Sequence, residues 1–269
     1  AQYDTDGAIR KYILGIDYND QKMYSLGLEL LKLYNGIDST EIKETAETFS
    51  FGSYDIPKYS ENLMSINYFG PPGTFPRYSF ETVIDDSSII LTSEDSTFQI
   101  NSFSDPNFGL EHTDVFKNKI VLVGATMPEL HDLHATPFAE QGTMPGVEMH
   151  ANAIQTILSG NYIFHTFPLT NIVFLIIAIG IIIIAVRRLS GFWSFTFYLL
   201  FSISVLVLTG WFFLQFSILT DVVAILIAIS VGYISTQSYE YIVEQREKRR
   251  IRGLFSSYVS PAIVEEMVE

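Results

Sequence analysis

Cysteine is absent from this 269-residue chain, which excludes disulfides and thiolate metal sites and leaves the redox compartment open. Cationic residues are scarce in the first part: residues 1–168 hold 9 Lys and Arg against 23 Asp and Glu, which accounts for the whole net charge of −14. A surface this anionic excludes a nucleic-acid partner, because phosphate backbones need Lys and Arg to displace their counterions. The "GAT" at Gly124 to Thr126 belongs to no GxGxxG run and precedes no Walker lysine, so a nucleotide site has no support.

In the rest of the chain, charge itself is missing. "LTNIVFLIIAIGIIIIAV" (Leu169 to Val186) is uncharged and long enough to cross a hydrocarbon layer of about 30 Å at about 1.5 Å per residue. "FWSFTFYLLFSISVLVLTGWFF" (Phe192 to Phe213) is a second such run, with Trp193 and Trp211 near its ends, where amphipathic rings favour the membrane interface. "LTDVVAILIAISVGYISTQSY" (Leu219 to Tyr239) is the third. Its single charge, Asp221, falls in the first turn, where the helix dipole and the interface tolerate an anion. The lipid bilayer is therefore an expected partner. Arg187 and Arg188 separate the first two spans, and "EQREKRRIRG" follows the third. Basic loops stay in the cytoplasm, so residues 1–168 are expected outside the membrane and 240–269 inside. The chain opens on Ala1 with no signal peptide, so an upstream export signal or membrane helix is expected.

The external part reads as an α/β domain. "AIRKYILGI" (Ala8 to Ile16), "LMSINYFG" (Leu63 to Gly70) and "NKIVLVGA" (Asn118 to Ala125) have the β-branched and aromatic content of buried strands. "MYSLGLELLKLY" (Met23 to Tyr34) reads as a helix with Leu26, Leu30 and Leu33 on one face, and Ser79 to Ile84 as a shorter one. Strands alternating with helices predict a mixed or parallel sheet built by right-handed crossovers. Asp85 to Asp114, rich in Ser, Asp and Asn, is expected to be a surface excursion with an added hairpin.

"ELHDLHATPFAEQGTMPGVEMHANAIQ" (Glu129 to Gln155) holds three of the five histidines, with Asp132 and Glu148 among them. Such density suits zinc or proton transfer, and equally the polar lining of a turn. The stretch follows the third strand, where open α/β sheets bind ligands. Pro145 and Gly146 then start a helix whose apolar stripe is Val147, Ala151, Ile154 and Leu158, with Glu148, Asn152, Gln155 and Ser159 opposite. His150 falls on the apolar side, as a core histidine does. His131 and His134 lack the helical HExxH spacing that fixes two metal ligands on one face.

"NKIVLVGAT", "LHDLHATPF" and "MPGVEMHANAIQTIL", followed at once by three apolar spans, resemble the CHASE2 domain, an extracytoplasmic sensory module of bacterial receptors. "DGAIRKYIL" from Asp6 resembles that family's first strand. The resemblance implies motif positions at Asp132, Thr136, Pro137, Pro145, Gly146, His150, Ala151 and Asn152, and these, Ala151 apart, are the candidate signal site. His131 and His134 fall where the motif is free. No catalytic, cofactor or metal residue is expected within the chain.

"RGLFSSYVSPAIVEEMVE" (Arg252 to Glu269) resembles the element that leads into class III nucleotide cyclase domains. Ser260 suits an N-cap and Pro261 a first helical position. The resemblance implies a receptor whose missing cyclase domain makes cyclic AMP from ATP with Mg2+ or Mn2+, and a homodimer, because cyclase sites form between two such domains. An unidentified extracytoplasmic ligand or protein would be the signal. Tyr239, Ile242, Gly253, Phe255, Tyr258 and Pro261 are the expected transducing positions. A histidine kinase or diguanylate cyclase effector, or a binding protein with no effector, are the alternatives.

Overall fold

The computed structural model describes residues 2–19, 21–85 and 102–255. The chain divides into two compact units, Ala1–Phe164 and His165–Glu269.

Among the described residues the first unit mixes short strands with three α-helices. Strand β1 (Gln2–Tyr3) pairs with β2 (Ile9–Ile13), and a hairpin follows of β3 (Gly15–Tyr18) and β4 (Gln21–Tyr24). Helix α1 (Leu26–Asn35) leads to a meander of β5 (Ile42–Glu44), β6 (Thr48–Phe51) and β7 (Tyr54–Pro57). Strand β8 (Leu63–Ser65) returns to β2, with Tyr12 opposite Met64. After α2 (Phe80–Ile84), β9 (Leu133–His134) pairs with β10 (Met144–Pro145), which runs straight into α3 (Gly146–Ser159). One core joins these pieces: Tyr12, Leu28, Leu31, Phe49, Phe51, Met64, Met144 and Ile157 are all essentially inaccessible.

The α/β composition matches expectation, but the sheet does not. Among the described residues of this unit every paired strand is antiparallel, and the one parallel feature is an isolated bridge from Ala8 to Ala135. Asn118 to Ala125 is not a strand. Ile120 and Leu122 pack against the core while Val121 and Val123 stay exposed, so the alternation is real although no neighbouring strand completes a ladder among the described residues. The predicted first strand is split between β2 and β3, and the second ends at Ser65, after which the chain is irregular.

Helix α1 also turns a different face inward. Its buried residues are Gly27, Leu28 and Leu31, whereas Leu33 is 80% exposed and Leu26 54%. The reason is Tyr12: its hydroxyl accepts a hydrogen bond from Gly27 N–H at 3.0 Å, and a Cβ at Gly27 would come within 2.9 Å of that oxygen. Only glycine lets the helix sit this close, and that seat sets its rotation. Of the Asp85 to Asp114 stretch, Asp85 accepts from Ser102 N–H at 2.8 Å and Leu110–Thr113 forms a 3-10 turn; the expected hairpin lies outside the described residues.

Among its described residues the second unit holds three long helices, α4 (Pro168–Arg188), α5 (Gly191–Phe216) and α6 (Val222–Phe255), each long and apolar enough to cross a membrane. Ala178, Ile182, Ile225 and Ile229 form the dry seam. Tyr198 stacks on Tyr233 with centroids 4.7 Å apart, and its hydroxyl meets Ser230 Oγ at 3.0 Å. Polar groups tie the helices at both ends of the apolar layer. At one end Asn171 Nδ2 donates to Asp221 just ahead of α6, and Thr166 Oγ1 donates to Asn171. At the other, Arg187 faces Glu240 at 3.4 Å. From Val222 to Tyr239 the rise is about 27 Å, close to the hydrocarbon thickness of about 30 Å. Beyond it α6 continues unbroken as a charged helix.

Candidate functional site

Asp132 follows a 3-10 turn (Pro128–Leu130) that ends at His131 with φ 53°. Its carbonyl accepts from Gly146 N–H at 3.0 Å, and its carboxylate lies over Gly146 so closely that a Cβ there would be 2.6 Å from Oδ2. This explains the Asp and Gly pair fourteen residues apart: a carboxylate placed at the positive end of α3 is favourable, and only glycine leaves room for it. His134, on β9, donates from Nε2 to Asp132 Oδ1 at 2.9 Å and meets the Tyr3 hydroxyl through Nδ1 at 2.6 Å. It is thus strand-borne.

His150 is half-buried one turn into α3. Its Nδ1 lies 2.8 Å from the Tyr12 hydroxyl, with the two rings edge to face. Burial holds its pKa below the ordinary imidazole value, against the opposing pull of the Asp132 carboxylate. Burial thus favours the uncharged ring beside Tyr12, whose oxygen also accepts from Gly27 N–H. One tyrosine thereby connects β2, α1 and α3. Asp132, Gly146 and His150 are brought to the same side of α3. Thr136 is buried and caps a turn, with Phe138 N–H donating to its Oγ1 at 3.3 Å, while Pro137 is exposed and Pro145 buried.

Asn152 belongs elsewhere. It lies two residues from His150, about 200° around the helix, and is fully buried with Glu148 and Thr156. The predicted stripe of α3 is thus corrected: Glu148 and Asn152, expected outside, are buried, while Val147, Ala151 and Leu158 are only partly covered. The partner explains this. The chain from Asn67 to Gly73 is irregular and has main-chain groups that need partners. Thr156 Oγ1 accepts from Asn67 N–H at 3.2 Å, Asn152 Oδ1 from Phe69 N–H at 3.0 Å, and Glu148 from Gly73 N–H at 2.9 Å. Arg77 adds an ion pair to Glu148. Three polar residues at i, i+4 and i+8 therefore grip a loop that cannot pair itself. The sequence places Glu148 and Asn152 opposite the apolar stripe because nothing in it shows α3's partner, and it singles out no role for Thr156, Tyr12 or Arg77.

At the amino end, Arg10 bridges Asp4 and Asp6, and Lys11 joins Asp4 at 2.6 Å. Hydrogen bonding to Arg10 holds the Asp6 carboxyl at about 2. Among the described residues no group of three or more His, Asp or Glu is placed to hold a metal ion. The strand-end position that suggested ligand binding is not formed either, since it needs a parallel sheet. Tyr239 and Ile242 lie exposed on α6 and Gly253 and Phe255 lie near its end; Tyr258, Ser260 and Pro261 are outside the described residues.

A model of the CHASE2 domain matches residues 1–185, and the chain belongs to the CHASE2 family. The match covers the first unit and nearly all of α4. With the two further apolar helices, it points to a membrane sensor. No curated protein and no solved structure matches the chain.

Proposed function

We propose that the chain is the sensing and membrane-spanning portion of a bacterial class III adenylate cyclase. Residues 1–168 lie outside the inner membrane, the end of α6 lies inside, and the protein works as a homodimer. The observation that carries this is α6, one helix of 34 residues that begins in the apolar layer and ends in a basic stretch, leading into the cyclase-like "RGLFSSYVSPAIVEEMVE". An unbroken helix transmits rotation or displacement where a flexible linker would not. Tyr239 and Ile242 are three residues apart and exposed, and could start a seam between two copies. Arg246, Arg249 and Arg252 follow, so the coiled coil is short and marginal. Marginal pairing suits a switch, because a few kcal/mol then shifts its population. Mg2+ or Mn2+ with ATP belongs to the effector. The Asp132, Gly146 and His150 side of α3 is the place where a signal is best positioned to alter the first unit.

The test is cyclic AMP output of the full-length protein in a cyclase-deficient bacterium. One residue inserted after Glu247 turns the downstream helix by about 100°, whereas seven nearly restore phase. Basal output should change strongly with one and little with seven. Equal output from both, or no cyclic AMP from the parent, would refute the proposal. Orientation is checked by single cysteines in this cysteine-free chain. Lys117→Cys should react with an impermeant maleimide on intact cells, and Lys248→Cys only after lysis.

A further inference from the structure

Where the apolar layer ends, the turn between α4 and α5 faces α6 across a cavity of about 280 Å3, near the lower end of the range for ligand pockets, about 300 Å3. Its walls carry opposite charges. Arg187 closes α4, while Gln237, Glu240 and Glu244 follow one another up one face of α6 with Tyr241 beside them. Arg187 Nε and Glu240 Oε1 stand 3.4 Å apart with both side chains well exposed, longer than the about 2.7–2.9 Å of a good charge-assisted bond. Each therefore keeps capacity for another partner, Arg187 through its remaining N–H groups.

Gly191 opens α5 on the cationic side. The Ser190 side chain does not cap that helix, and beside Gly191 only the Gln237 amide nitrogen lies within 4 Å of where a Cβ would stand. The first-turn N–H groups of a 26-residue helix thus add positive potential next to Arg187. The site has a cationic half and an anionic half, at the level where lipid headgroups lie.

Resting on the reading of α4 to α6 as membrane spans, we propose that this cavity binds the phosphoethanolamine headgroup of a membrane lipid. The phosphate sits on Arg187 and the start of α5, and the primary ammonium sits on Glu240, with Glu244, itself 3.3 Å from the Lys248 ammonium, beside it. An anionic headgroup without an ammonium is repelled by the two carboxylates. A trimethylated ammonium has no N–H to donate to them. The bound lipid would bridge the α4–α5 turn to the first charged turns of α6, so headgroup composition would bear on the position of the transducing helix.

The experiment reconstitutes the whole chain into vesicles and measures retained lipid by native mass spectrometry with phosphatidylethanolamine, phosphatidylglycerol and phosphatidylcholine in equal amounts. Phosphatidylethanolamine should be enriched about tenfold, the value of one good charged contact. Glu240→Gln should remove that preference with helix content unchanged by circular dichroism. The swap Arg187→Glu with Glu240→Arg restores an ion pair but reverses the charges, and should not recover it; a role limited to the ion pair predicts full recovery. Equal retention of the three lipids by the parent chain, or a preference that survives Glu240→Gln, overturns the site. So does displacement by soluble phosphoethanolamine at equal concentration, which would assign it to a soluble ligand. A chain that enters no vesicle overturns the membrane reading and the site with it, whereas entry without headgroup preference overturns the site alone.

Discussion

Helices α3 and α5 invert the usual rule in opposite ways. Helix α3 buries a carboxylate, an amide and a hydroxyl (Glu148, Asn152 and Thr156), whereas α5 leaves Trp193, Leu200, Leu206 and Phe216 exposed. The difference lies in what each helix faces. Helix α3 buries Met149, Ala153, Ile154 and Ile157 in the core and also faces irregular backbone that needs donors and acceptors, so on that side a polar row is the stabilising one. Helix α5 presents an apolar surface suited to hydrocarbon, and its own main chain is satisfied internally. Polarity alone does not say which face of a helix is inside.

Breaking the polar grip on the 67–73 loop should have the largest effect. Glu148→Leu strands Gly73 N–H and Arg77, and should cost about 3 kcal/mol, seen as a lower unfolding midpoint of the first unit in detergent-solubilised protein. A midpoint within a degree of the parent would show that the grip contributes nothing. Gly146→Ala comes next, since its Cβ enters the space of the Asp132 carboxylate. A loss of about 2 kcal/mol is expected, largely recovered in the double variant with Asp132→Ala. Additive losses would mean that the two positions do not collide.

His150 sharpens the comparison through pH. Its folded pKa lies below the unfolded value because burial disfavours the cation. The unfolded chain therefore binds the extra proton first, and this contribution to stability is full above the unfolded value of about 6.5 and declines as pH falls below it. Parent protein should lose more stability between pH 7.5 and 5.5 than His150→Asn, by matched denaturation curves; parallel curves would exclude His150 as the cause. The smallest effect belongs to the membrane unit. Tyr198→Phe removes the hydroxyl that meets Ser230, and interhelical bonds of this kind average about 0.6 kcal/mol. A loss as large as that of Glu148→Leu would erase the contrast between the two units.

The candidate residues divide along the same line. Asp132, Gly146 and His150 could be proposed from sequence, and the coordinates bring them to one side of α3. Asn152 came with them in the motif yet serves the loop on the other side. Glu148 was noticed for its charge, but its partners are 75 and 71 residues away, beyond any local pattern.

The sequence by itself determined three apolar helices, the helix starting at Gly146 and the presence of both α and β elements, because length, uncharged runs and turn residues act within a few neighbours along the chain. Tertiary structure alone decided the rotation of α1 and α3, the antiparallel pairing, and the path of Asn118 to Ala125 outside any strand. These depend on distant groups: the Tyr12 hydroxyl, the unpaired main chain from Asn67 to Gly73, and the carboxylate over Gly146. A helix's periodicity defines its faces, but only the group brought against it decides which face is buried.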